Sequence, residues 1–153
     1  MVFLPARLKD ISADDLAPAD LRSTDFDWTG FRVSYVDSPQ QASFDLGYRA
    51  LWEEFGDRNE METRAVCEQR LSWHCGPQRD GRLMRYEMIV VTSDEGELAA
   101  VRDHTVIIDA QRPDDPVVIH LSHLLITPRY RGTGLAGWMR ALPIRVAREC
   151  LRL

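Results

Sequence analysis

Polar and apolar positions change period along the chain, and the changes mark out the elements. Gly30 to Val36 alternates, with Phe31, Val33 and Tyr35 on one face, which predicts a half-buried strand. Ser38-Pro39-Gln40-Gln41 then supplies an N-cap, a proline for the first helical position and a glutamine at the third. Phe44, Tyr48, Leu51, Trp52 and Phe55 recur at helical spacing behind it as a core stripe, and Gly56 ends that helix. Asn59 is placed to cap a second helix with Met61, Ala65 and Leu71 on one side. Gly76-Pro77 and Asp80-Gly81 mark a loop.

The period then shortens to two. Leu83 to Val91 sets Met84, Tyr86, Met88 and Val90 on one face, Ser93 to Gly96 makes a tight turn, and Glu97 to Asp109 returns as a hairpin strand. After the loop Arg112 to Pro116, Val117 to Ile126 is more continuously apolar and predicts a central strand. Thr127 to Gly134 leads into a helix from Leu135 to the end, with Pro143 expected to kink it near Met139. The order β-α-α-β-β-β-α predicts an α+β or mixed α/β domain with a mixed sheet. Residues 1–29, broken by Pro5 and Pro18 and rich in aspartate, read as an acidic arm laid on a domain of residues 30–153, with Ser12 capping a short helical turn.

Composition narrows the class. The 153 residues suit one domain, and 44% apolar with 28% charged residues excludes a disordered chain. A net charge of −5 argues against nucleic-acid or membrane partners. Three cysteines, Cys67, Cys75 and Cys150, make no disulfide framework and fit a reducing compartment. The N-terminal stretch lacks the apolar length of a signal peptide, so the expected location is the cytoplasm. His74-Cys75 has no partner pair at ligand spacing, so no metal is expected.

The chemistry concentrates at Ile126-Thr-Pro-Arg-Tyr-Arg-Gly-Thr-Gly-Leu-Ala136. A strand, a short glycine loop and a helix start make a cradle of backbone amides for phosphate, and Arg131 adds charge at its rim. The residues of a Walker loop and of a dinucleotide fingerprint are absent. Arg131-Gly-Thr-Gly134-Leu-Ala136 resembles the Arg/Gln-x-x-Gly-x-Gly/Ala signature of the GNAT family of acyl-CoA-dependent N-acetyltransferases, and Arg129-x-x-Gly132-x-Gly134 fits it in a second register. The resemblance covers roughly residues 30–153 in the family's element order.

The resemblance implies transfer of an acetyl group from acetyl-CoA to a primary amine on a small molecule or peptide. It implies that the amides of Arg131, Gly132, Thr133, Gly134, Leu135 and Ala136 hold the CoA pyrophosphate. The strand edge at Leu124, Leu125 and Ile126 would pair with the pantetheine arm and polarise the thioester carbonyl. The family's base is frequently a glutamate on the long strand, which has none here. His123 is the first candidate base and His120 the second, with Asp103 and His104 able to face the acceptor. Three apart on a strand, His120 and His123 should point to opposite faces.

Two other readings stay open: a catalytically silent acyl-CoA-binding or sensing module of the same fold, and a phosphate- or nucleotide-binding protein. The family fold continues beyond the glycine-loop helix with a strand, a helix that supplies the acid for the thiolate, and a hairpin. The resemblance therefore implies an incomplete domain, poorly active alone. Its Val117–Ile126 strand would keep an unpaired edge, and the last helix's face (Leu135, Trp138, Leu142, Val146, Cys150) would be only partly covered. A longer chain or a homo-oligomer would complete it.

Overall fold

A computed structural model of the chain describes residues 11–77, 81–112 and 114–152. The first ten residues, Asp80 of the predicted loop and Pro113 lie outside them. The elements are β1 (Phe31–Val36), α1 (Ala42–Phe55), α2 (Arg64–Leu71), β2 (Gly76–Pro77), β3 (Arg82–Ser93), β4 (Leu98–Asp109), β5 (Val118–Ile126), α3 (Leu135–Ala141) and α4 (Pro143–Arg152). In place of the expected mixed sheet, the five strands form one antiparallel sheet in the order β1-β3-β4-β5, with β2 also on β3. The result is a mixed α/β fold with four α-helices among the described residues.

Strand alternation sends side chains to two cores. Tyr86, Met88, Val90 and Val101 pack with Phe44, Tyr48 and Leu51 of α1 and with Cys67 and Leu71 of α2. On the other face, Ile89, Val91 and Ala100 pack with Leu135, Trp138, Met139 and Leu142, while Val106 packs with Val146, Ala147 and Cys150 of α4.

Several expectations need correction. The Val117–Ile126 segment is not a central strand: among the described residues β5 pairs only with β4, and Val118 and Leu121 are exposed. Its apolar run therefore reports a strand with one open edge. The first helix starts at Ala42, because Gln41 uses its Oε1 to accept from the Asp37 and Ser38 amides and closes the turn before the helix. Asn59 does not cap α2; it sits left-handed at φ 57° after a 3-10 turn, and Thr63 precedes the helix, leaving Ala65 exposed. Trp52 is also exposed, its ring lying over Gly56 and stacked on Tyr48. The final helix breaks completely before Pro143, whose missing N–H ends α3.

The largest departure concerns the N-terminal segment. It is not merely laid on the domain: Ile11, Leu16, Phe26 and Trp28 are buried in the core beside Trp138. Ser12 does cap its turn, in a reciprocal pair with Asp15. Bidentate ion pairs join Asp15 to Arg148 and Asp20 to Arg140. This segment packs with Leu135, Trp138 and Leu142, while Val146 and Cys150 pack with Val106 of the sheet, so all five are buried rather than partly open.

Candidate functional site

The site is built at the middle of β5, where the pairing with β4 slips. Asp103 pairs with His123 and His104 with Leu121, so Ser122 is an extra residue. A one-residue bulge reverses the alternation beyond it. His120, opposite Thr105, and His123, opposite Asp103, therefore share a face, contrary to the spacing argument. Both line a cavity of about 480 Å³ with Ser122, Asp103, Arg70 and the Asn59–Glu62 segment.

Asp103 organises this cavity. It is 3% exposed, and burial alone would raise its pKa. Bonds from the His123 ring (Nδ1 at 2.8 Å), the His123 amide (2.9 Å) and the Tyr86 hydroxyl (2.9 Å) outweigh burial and hold the carboxyl below its ordinary value. The same bond raises the pKa of His123 against the opposing effect of its partial burial.

The other ring nitrogen of His123, Nε2, lies 2.5 Å from the Glu60 carbonyl oxygen. A carboxylate and a carbonyl are both acceptors, so both nitrogens donate and the ring is an imidazolium. In this arrangement His123 ties the segment between α1 and α2 to β5 and has no lone pair directed at the cavity. His120 differs: it is exposed, with Nδ1 3.4 Å from the Ser122 hydroxyl. His104 does not face the acceptor side. It is fully buried on the opposite face, both ring nitrogens are unpartnered among the described residues, and burial pushes its pKa down to about 3.

The glycine loop lies at the end of β5 on the other face. Gly132 and Gly134 have φ 75° and 92°, conformations that a side chain disfavours. A Cβ on Gly132 would meet open space, whereas one on Gly134 would lie 2.9 Å from the Ser23 Cα. On Gly137 it would strike the Ser23 hydroxyl. Two of the three glycines thus have a packing reason, the close approach of residues 20–23. A cavity of about 270 Å³ remains between that segment and Arg131, Gly132, Gly134, Leu135 and Ala136. Thr133 donates to the Tyr130 carbonyl and accepts from the Leu135 amide, and Arg131 donates to the Ile126 carbonyl. Leu124 and Ile126 pack toward the α3 core and Leu125 toward the α1 core; β5 has no second strand partner among the described residues, and it contributes His120, Ser122 and His123 to one cavity and Ile126 to the other.

The closure of His123 by Glu60 and the roof over the loop by Ser23 were not read from sequence. A signal for the first was present: Arg102-Asp-His-Thr105 is four polar residues inside an otherwise apolar strand. Among the described residues, no group of metal-ligating side chains forms, and no helix is long and apolar enough to cross a membrane. No family model, curated protein or solved structure matches the chain.

Proposed function

We propose that this chain is a GNAT-like acyl-CoA-dependent N-acyltransferase that moves an acetyl group from acetyl-CoA to a primary amine. The observation that carries the reading is the run of the β5 edge from the His120–His123 cavity into the glycine loop. An extended thioester substrate needs an unpaired strand edge to align on and an anion cradle at one end. It also needs an acceptor cavity at the other, and β5 connects all three. The amides from Arg131 to Ala136 would hold the diphosphate. The edge at Leu124, Leu125 and Ile126 would align the pantetheine and donate to the thioester carbonyl.

The amine must lose a proton as its nitrogen attacks the carbonyl carbon. His120 is the better placed acceptor, because its ring is open to the cavity while both nitrogens of His123 are engaged. His123 would serve by orienting the Asn59–Glu62 wall. The closed ring of His123 also favours a second reading, a silent acyl-CoA-binding module, in which nothing accepts the proton.

Calorimetric titration with acetyl-CoA, CoA and ATP tests the donor half. Binding of both CoA species in preference to ATP is expected. ATP bound as well as acetyl-CoA would replace the reading with a general phosphate-binding one.

A further inference from the structure

The 270 Å³ cavity has two walls of separate origin. One is the loop after β5 with the start of α3; the other is the N-terminal 3-10 segment Pro18–Asp25, which contributes Ala19, Asp20, Arg22 and Ser23. Three arginines line it, Arg22, Arg131 and Arg140, against a single acidic residue, Asp20. Asp20 is bound to Arg140 through both oxygens, one at 2.8 Å from Nε. Arg131 spends its Nε on the Ile126 carbonyl. Among the described residues, neither Arg22 nor Arg131 pairs with a carboxylate. In a chain of net charge −5, this is a local reversal of sign at the mouth of a cavity.

The wall carrying Arg22 is fixed. The Ser23 carbonyl accepts from the Trp138 indole at 2.6 Å, and Ser23 is 3% exposed. The absence of a side chain at Gly137 lets Ser23 approach α3 closely. The backbone of Arg22 is therefore held beside the loop, and its exposed side chain pairs with no carboxylate among the described residues.

We propose that Arg22 is a phosphate contact, and that the N-terminal segment is a working wall of the anion site rather than packing alone. With Arg131 it would clamp the oxygens of a diphosphate from the side opposite the loop, which suits the planar, multi-donor guanidinium. The inference deepens the transferase reading and rests on it for the identity of the ligand as CoA.

The test is calorimetric titration of the full chain with inorganic pyrophosphate and, separately, with CoA. The variants are Arg22→Ala and Arg22→Lys, with Arg32→Ala as control. Arg32 is exposed on β1, pairs with Asp94 and lies outside the cavity. Arg22→Ala is expected to weaken both ligands roughly tenfold, the usual effect of losing a charge-assisted bond. Arg22→Lys should recover part of the loss, and Arg32→Ala should change nothing. Pyrophosphate binding that depends on Arg22, without any CoA binding, supports the clamp and overturns the transferase reading. Equal or tighter pyrophosphate binding in Arg22→Ala overturns the clamp, as does no pyrophosphate binding by the parent chain. CoA binding that ignores Arg22 overturns the clamp and leaves the transferase reading standing.

Discussion

Asp103 and His104 are neighbours on β4, yet they end in opposite environments. On the α1–α2 face, Asp103 gathers three donors, charges His123 and borders an open cavity. On the α3–α4 face, His104 sits in a sealed layer with Glu87, Arg85 and Arg102, and both of its nitrogens are unpartnered among the described residues. Burial there pushes Glu87 up to about 7 even with Arg85 3.1 Å away. The difference teaches that polarity inside a sheet is not one thing. One face spends its buried charge on positioning a wall of a cavity. The other ties Glu87 to Arg85 and Arg102 to the Met139 carbonyl and leaves the His104 ring unbonded among the described residues.

The largest expected effect follows from removing Asp103. Asp103→Ala leaves the His123 ring and the Tyr86 hydroxyl without their acceptor, and should cost about 3–5 kcal/mol. Urea denaturation measures it; a loss below about 1 kcal/mol, the range of exposed pairs, would mean that the network is not a unit.

The two faces should also separate by pH. The folded pKa of His123 lies above its ordinary 6.5, so its contribution is complete below 6.5 and is lost as pH rises through the folded value. The folded pKa of His104 lies near 3, so its neutral form costs stability as pH falls from 6.5 toward 3. Glu87 adds a loss between 4.5 and about 7 as pH rises. Thermal denaturation across pH should show that His123→Gln removes part of the alkaline decline. In the same series His104→Phe should flatten the acid limb. Identical profiles in both variants would erase the distinction drawn between the faces.

The smallest effect is expected at neutral pH for His104→Phe. With no partner to lose, an apolar ring of similar shape should lie within about 1 kcal/mol of the parent or be more stable. A loss of several kcal/mol would show that His104 holds a structural bond, for instance through a buried water.

Much of the fold was legible because local chemistry dictated it. The alternation of Tyr86, Met88 and Val90, the Ser93–Gly96 turn and the Gly56 stop all appear where the pattern sets them. The bulge at Ser122 was not legible, since an extra residue leaves no mark in the strand's composition yet reverses every face beyond it. The role of residues 11–28 was hidden for another reason. Five aspartates interrupt their apolar residues, and only the tertiary partners Arg140, Arg148 and Trp138 show why both kinds are needed. The glycine loop was visible, but Gly134 and Gly137 carry a packing demand from Ser23 that a motif alone does not contain. Of the candidate site, the histidines were named, but their spacing put them on opposite faces where the bulge puts them on one.

The central claim is transfer of an acyl group, and thiol release measures that most directly. The full chain is incubated with acetyl-CoA and a panel of primary amines, and free CoA is followed with a thiol reagent. The account predicts release that depends on the amine and falls roughly 10²-fold in His120→Ala, while acetyl-CoA affinity is unchanged. Acetyl-CoA binding without amine-dependent thiol release from any member of the panel would contradict it.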